Sequence, residues 1–351
     1  MKKIRVGIVG AGSISELHLK GYNKLDNVEI VAVCDINEER AKEYSEKNGI
    51  SGVYTDYNEM IKNSDLDAID ITAWNNAHCG AAIAGLHAGL NVLCEKPMAL
   101  NADEALAMEK AAKESGKLLM IGFVRRFGTN TEIAKTFIDN NDLGDIYYIK
   151  TKCIRRVGNP CGWFSNKELS GGGPLIDLGV HMIDLARYLM GKPKAISVYG
   201  ATFNNIGPRN NIKNFARYYP KDKNEFSNVE DFATAMVRFD NGAILNVEVS
   251  FSAHIKEDEI SLDIFGSKSG MKFEPSLEIY TEKYDRLVDV TPVITEDADA
   301  FSANFENEIA HFVDCIENKK ESINPPEDGV ELMKILDAIY KSAELKKEIL
   351  L

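Results

Sequence analysis

Residues 4–15 read Ile4-Arg5-Val6-Gly7-Ile8-Val9-Gly10-Ala11-Gly12-Ser13-Ile14-Ser15, and an acid, Asp35, follows the next apolar run, Val28 to Cys34. An apolar strand that runs into a glycine turn and then a helix is a phosphate cradle. Gly10 permits the tight turn. Gly12 has no side chain, so a pyrophosphate can approach the backbone. The amides of the helix that starts near Ser13 and Ile14 point their positive dipole end at that anion. Asp35 stands about twenty residues past the turn, where a carboxylate accepts the ribose hydroxyls of NAD.

The third glycine of this fingerprint is replaced by Ser15. That position packs helix against strand, and a small serine fits. Asp35 would repel a 2′-phosphate, so NAD is expected, with NADP kept as the alternative because Arg40 is near. A bare glycine turn in a ligand-free sheet is the competing reading. Strand before, helix after and acid at the right distance together weigh against it.

The same alternation continues outward from the turn. Apolar runs at Ala68–Thr72, Asn91–Cys94 and Leu118–Gly122 alternate with helical stretches at Cys79–Ala88 and Ala102–Ser115. This predicts a parallel sheet with right-handed crossovers over residues 1–124, a dinucleotide-binding domain. Ligands of such sheets sit at the carboxyl ends of the strands. The glycine turn, Asp35, Thr72 and Glu95-Lys96-Pro97 all fall there.

Beyond it the period changes to two, in Ile196–Phe203, Phe232–Phe239, Ala243–Ser252, Glu259–Phe265 and Leu277–Thr281. Turn signals such as Asp240-Asn241-Gly242 join these runs. Residues 125–351 are therefore expected to form an α+β domain with a large, open, mainly antiparallel sheet, with the last helices free to return to the first domain. An open sheet of this size often pairs with a second subunit. Arg209–Asn228 is expected to be a long loop.

A length of 351 residues suits two domains, and a net charge of −13 argues against nucleic-acid or anionic-membrane partners. No apolar run reaches membrane-spanning length. Met1-Lys2-Lys3 leads straight into the first strand, so no signal peptide is expected. The six cysteines form no Cys-x-x-Cys pair. Reduced thiols and a cytoplasmic location are expected.

Two groups carry chemistry. Cys94-Glu95-Lys96-Pro97 ends a strand, and the X-Pro bond fixes Lys96 in an extended, even cis, geometry. Its ammonium could polarise a substrate hydroxyl or carbonyl, although most lysines are surface residues. Gly171-Gly172-Gly173-Pro174 precedes a segment that reads as helix from Asp177 onward. Asp177, His181 and Asp184 would then share one face at i, i+4 and i+7. Proton transfer through His181 is one reading; a satisfied core histidine with a capping aspartate, or a metal site, are others. A metal needs further ligands, and no second His or Cys cluster offers them, so none is expected.

The Gly10-Ala11-Gly12 opening, Glu95-Lys96-Pro97, and the three glycines followed by Asp177-x-x-x-His181-x-x-Asp184 together resemble the Gfo/Idh/MocA oxidoreductase family. The likeness covers nearly the whole chain. Within it, Thr72-Ala73-Trp74-Asn75-Asn76-Ala77-His78 and Met120–Phe127 are similar to inositol dehydrogenases. Past Arg126, Arg155–Phe164 and the long loop resemble instead the family's sugar-dehydrogenase-like members. The resemblance implies a Rossmann domain and a second domain with an open sheet, commonly in dimers or tetramers. It makes Lys96 the catalytic lysine, and Asp177 and His181 the inner active-site residues, with His181 the acid/base. It places Thr72, Ala73, Trp74, Asn75, His78 and Glu95 toward the nicotinamide, and Arg126 beside the substrate. Trp163 and Tyr218 are aromatic candidates for stacking on a sugar ring.

The activity expected is hydride transfer between NAD(P) and a carbinol or carbonyl carbon of a sugar or cyclic polyol. Two rivals stay open: an NAD-retaining glycosidase-type enzyme, and a non-catalytic sugar or nucleotide sensor.

Overall fold

The structure, a computed structural model, describes residues 3–209, 212, 226–294 and 300–351. These divide into two compact units, the described residues of Met1–Phe127 with Asp297–Met333, and of Gly128–Glu296 with Lys334–Leu351. The first unit thus ends its leading segment at Phe127 rather than 124 and takes in a later stretch of chain.

In the first unit six parallel strands, β1 (Ile4–Val9), β2 (Val28–Cys34), β3 (Gly52–Tyr54), β4 (Ala68–Ile71), β5 (Asn91–Glu95) and β6 (Leu119–Gly122), lie in the order β3-β2-β1-β4-β5-β6. Helices α1 (Ser13–Tyr22), α2 (Glu38–Asn48), α3 (Tyr57–Asn63), α4 (Asn75–His87) and α5 (Ala102–Ser115) make the crossovers. Strand order reverses between β1 and β4, so the carboxyl ends of these two strands define the binding crevice. Asn37, Asp56 and Asn101 cap α2, α3 and α5 by accepting a first-turn amide.

The second unit contains α6 (Thr129–Asp139), β7 (Ile146–Ile154), the short α7 (Lys167–Ser170), α8 (Val180–Leu189), β8 (Ala195–Phe203), β9 (Phe232–Phe239), β10 (Ile244–Ser250), β11 (Glu259–Gly266), β12 (Ser269–Glu274), β13 (Glu278–Lys283) and β14 (Arg286–Val290). Two further helices follow, α9 (Ala300–Asn318) and α10 (Pro326–Leu345), then a terminal strand, β15 (Ile349–Leu350). Strands β7 to β15 form one sheet, ordered β14-β13-β12-β11-β7-β10-β9-β8-β15. Only β7 and β10 pair in parallel; the other neighbours are antiparallel. Strands β12, β14 and β15 were not read as period-two runs; β12 alternates cleanly but begins inside the glycine–serine stretch that reads as a turn. β14 is too exposed to alternate, and β15 is two residues long.

Helix α8 packs on β7 and β10 and covers one face of this sheet. The other face carries the exposed side chains Tyr199, Met236 and Phe265. Tyr199 pairs with Met236 across β8 and β9, and Phe265 with Tyr148 across β11 and β7.

Helix α9 belongs to the first unit and lies on α1. Its Ile309, Phe312 and Val313 share a core with Val6, Tyr22, Val28, Leu93 and Met120. Gly21 makes this approach possible, since a Cβ there would sit 3.0 Å from Ile309. The periodic apolar stripe of α9 is therefore the lid on one side of the parallel sheet.

Candidate active site

The cradle lies at the carboxyl end of β1. Gly10 has φ +103°, and a Cβ there would lie 2.5 Å from the Ala73 backbone nitrogen. Glycine is therefore required on both counts. Thr72 fixes the turn, its hydroxyl donating to the Gly10 carbonyl at 2.7 Å. Gly12 is the exposed N-cap of α1, and no side chain accepts from the first-turn amides. A Cβ on Gly12 would meet nothing within 4 Å. Open space over an uncapped helix N-terminus, with Ser13 exposed and Ile14 half-buried beside it, fits a pyrophosphate. Ser15 does more than fit: its hydroxyl donates to the Gly12 carbonyl at 2.7 Å and closes the turn.

Asp35 is buried at the end of β2. One carboxylate oxygen accepts from the Ala11 amide at 2.9 Å and the other from the Asn37 amide at 2.9 Å. Each oxygen keeps a second acceptor site for a ribose hydroxyl. Arg40 Nη1 lies 3.6 Å from Asp35 Oδ1, and Ile36 beside it is 75% exposed.

Lys96 follows the last residue of β5, and the Lys96–Pro97 bond is cis. Glu95 Oε2 accepts from the Lys96 amide at 3.0 Å. Glu95 Oε1 lies 3.0 Å from His18 Nε2, and Asp70 Oδ2 lies 2.8 Å from His18 Nδ1. All three side chains are buried. Ionised carboxylates only accept, so with both carboxylates charged the ring donates from both nitrogens and is an imidazolium. Burial by itself would depress the imidazole; the charges and hydrogen bonds of Asp70 and Glu95 outweigh it and hold His18 well above its ordinary range. Burial likewise would raise Glu95, but the His18 hydrogen bond and charge, with the Lys96 charge, bring it below the usual value.

Among the described residues His18, Glu95 and Glu308 form a cluster with metal-ligand spacing, their donor atoms all within 4.8 Å. The ring nitrogen facing Glu95 is already hydrogen-bonded to it, so the cluster is ion-paired as it stands. His18, Asp70 and Glu308 were missed in the sequence. The available signal was an acid, Asp70, inside a four-residue strand buried throughout.

Two assignments made from sequence are corrected here. His78 is completely buried, with one ring nitrogen 2.8 Å from the Pro97 carbonyl and the other 3.1 Å from that of Ala73. It braces the Lys96-Pro97 turn against the end of β4 rather than facing a cofactor. Arg126 has no exposed side-chain surface. It donates to Asp328 at 2.8 Å and to the Ile323 carbonyl at 2.7 Å, and so secures the first turn of α10, which belongs to the first unit, instead of meeting substrate. Glu95 and Asn75 are buried as well, while Ala73 and Trp74 stay half-buried at the start of α4.

In the second unit the helix carrying Asp177 and His181 does not begin as an ordinary α-helix. Residues Leu175–Gly179 form a π turn, closed by the Val180 amide donating to the Leu175 carbonyl. The wider turn changes the expected i, i+4 spacing between Asp177 and His181. Both are half-buried, whereas Asp184 is 3% exposed and faces inward. The expected acid–histidine–acid face is thus divided by burial: Asp177 and His181 keep part of their surface, and Asp184 belongs to the core.

Glu230 holds this turn. Its carboxylate accepts from the Gly173 amide at 3.0 Å, the Leu175 amide at 3.1 Å and the Tyr340 hydroxyl at 2.9 Å. A Cβ on Gly173 would lie 2.4 Å from the Glu230 carbonyl, and one on Gly172 2.0 Å from the Tyr340 hydroxyl. The glycine run therefore exists to admit Glu230 and Tyr340. Burial, then the Glu230 charge and hydrogen bond, push the Tyr340 phenol well up. Trp163 is half-buried against Phe164, ring centroids 4.0 Å apart. Tyr218 lies outside the described residues, as does most of the expected loop 209–228.

Comparison with known proteins follows both units. The Gfo/Idh/MocA model described as an oxidoreductase family's NAD-binding Rossmann fold matches residues 4–123. The model for the same family's C-terminal alpha/beta domain matches residues 135–351. D-glucoside 3-dehydrogenase of Escherichia coli (strain K12) is 34% identical over 345 residues, 97% of this chain and 95% of that protein. Myo-inositol 2-dehydrogenase of Thermotoga maritima is 24% identical over 361 residues, 99% of this chain and 98% of that one. The solved structure of levoglucosan dehydrogenase with NADH and L-sorbose shares the fold, with a TM-score of 0.87 at 24% identity, covering 100% of this chain and 99% of that one.

Proposed function

The chain belongs to the Gfo/Idh/MocA oxidoreductase family, and from that membership we propose that it is a dehydrogenase of pyranosides, with NAD in preference to NADP. The observation that carries the reading is Gly12, an uncapped and exposed helix N-terminus with empty space where a Cβ would stand. The 34% identity to a D-glucoside 3-dehydrogenase supports a glucoside over a free cyclitol.

Gly10, Gly12, Ser13 and Ile14 hold the pyrophosphate, and Asp35 the ribose hydroxyls. NAD, when bound, supplies the hydride acceptor. The Asp35 carboxylate would repel a 2′-phosphate, which favours NAD, and Arg40 at 3.6 Å weakens that repulsion without replacing the acid. His181 takes the proton of the substrate hydroxyl, and Asp177 orients that hydroxyl. The Lys96 ammonium stabilises the alkoxide that develops as the proton leaves.

The open face of the large sheet, with Tyr199, Met236 and Phe265 exposed, supports a homodimer or homotetramer built through it. A cytoplasmic setting accords with six free cysteines and a need for a nicotinamide pool. Among the described residues no helix is long and apolar enough to cross a membrane.

The test is a panel of methyl D-glucosides, myo-inositol and levoglucosan with NAD+ or NADP+, followed by nicotinamide absorbance. Reduction of NAD+ with a glucoside is expected. No reduction with any of these substrates, while NAD+ still binds, removes the reading and favours a sensor.

A further inference from the structure

We propose that His18 is a positioning residue for Lys96 and acts through Glu95, whose carboxylate bonds the His18 ring with one oxygen and the Lys96 amide with the other. The inference rests on the reading that Lys96 meets the reacting atoms.

The chain of contacts runs within the first unit, from Asp70 on β4, to His18 on α1, to Glu95 at the end of β5, to the Lys96 amide, at 2.8, 3.0 and 3.0 Å. Each link has one job. Asp70 fixes the orientation of the ring. The ring supplies the positive charge that a carboxylate as buried as Glu95 needs. Glu95, kept ionised, presents an acceptor to the Lys96 amide. Without the imidazolium, Glu95 would be driven toward its protonated form. A carboxylic acid offers the amide a weaker acceptor, or a donor that faces another donor. The backbone at Lys96 would then lose one of the bonds that set the direction of its side chain.

The surroundings of His18 point the same way from every side. Asp70 faces it from β4, Glu95 from β5, and Glu308 from α9, with the Phe305 ring 5.5 Å away on α9 and Tyr22 one turn along its own helix. Three acids converge on one ring within this cluster. A ring placed only to fill the core would not need them. Misplacing a catalytic group by about 1 Å can cost about a hundredfold in rate.

The experiment compares wild type, His18→Gln, Lys96→Ala and the double variant, using whichever of methyl D-glucoside, myo-inositol and levoglucosan the wild type oxidises. His18→Gln should lower kcat about a hundredfold. It should leave KM for the sugar and Kd for NAD+ within about threefold, because the cradle at Gly12 is untouched. In the Lys96→Ala background His18→Gln should cause no further loss, since its effect passes through Lys96.

Turnover kept in Lys96→Ala removes the reading of Lys96, and this proposal with it. Turnover lost in Lys96→Ala but kept in His18→Gln overturns the proposal alone. So does a further loss in the double variant as large as in the single one. Should His18→Gln not fold, the wild-type chain decides. Nitrogen NMR of the labelled histidine ring, titrated upward from pH 6.5, should show both His18 nitrogens still protonated above that ordinary value, and a ring that is neutral there overturns the proposal.

Discussion

In the first unit Glu95 holds the Lys96 amide and is kept charged by His18; in the second, Glu230 holds the Gly173 and Leu175 amides and accepts from the Tyr340 hydroxyl. Both carboxylates are buried, and both fix the backbone that carries a candidate catalytic side chain. The difference lies in what compensates the charge. Glu95 sits at the end of a strand, where few amides point toward it, so a full positive charge is brought from α1. Glu230 lies just before β9, and its carboxylate faces the start of the helical segment at Leu175, where the Gly173 and Leu175 amides and the helix dipole favour an anion. Glycines at 172 and 173 clear the space. A strand end and a helix start thus solve the same problem with an imidazolium in one case and with backbone in the other.

The largest effects should come from the side chains these two devices aim. Lys96→Ala and His181→Ala should each reduce kcat by about a hundredfold or more, with NAD+ binding preserved, as read by steady-state kinetics and cofactor titration. Unequal losses would show that one unit carries the chemistry alone.

Next in size are attacks on the second-unit device. Gly173→Ala places a methyl against the Glu230 backbone and should cost about 1–3 kcal/mol of stability. Glu230→Gln should cost about 2 kcal/mol, by removing a charged acceptor from two amides. Thermal denaturation measures both. Both should also lower kcat without altering NAD+ affinity, because the first unit is untouched.

The first-unit device should show itself in pH. The folded pKa of His18 lies above its ordinary value of 6.5. Its contribution to stability is therefore full below 6.5 and is lost as pH rises through the raised folded value. Glu95 has the opposite sign. Its folded pKa lies below the ordinary 4.5, so its contribution is present above 4.5 and is lost as pH falls through the depressed value. Denaturant titrations across pH should give wild type an alkaline decline that His18→Gln lacks. Glu230→Gln should leave that decline in place.

The smallest effect expected is from Tyr340→Phe, about 1 kcal/mol, since Glu230 keeps both amides. A loss as large as that of Glu230→Gln would mean that the phenol, rather than the backbone, secures the carboxylate.

Much of this was legible in the sequence where one residue type has one physical use. Gly10 could be read because a positive φ and the close Ala73 backbone exclude a side chain, and Gly12 because a pyrophosphate needs open space over a helix end. The parallel sheet followed from its alternation. The His18–Asp70–Glu95 chain was hidden because its members lie 52 and 77 residues apart and meet only after β1, β4 and β5 pair. Glu230 was hidden for the same reason, 57 residues from Gly173. His78 and Arg126 misled because a polar residue next to a ligand motif looks like a contact, while burial turns it into a brace. The π turn at Asp177 left no mark in the spacing.

The most direct test of the central claim follows the hydride. Wild-type protein is incubated with NAD+ and a methyl D-glucoside deuterated at every ring carbinol carbon, and the nicotinamide product is weighed by mass spectrometry. Deuterated NADH should form with wild type and fall about a hundredfold in Lys96→Ala and in His181→Ala. NAD+ that stays unreduced with wild type, although it binds and the panel sugars are present, would contradict the account.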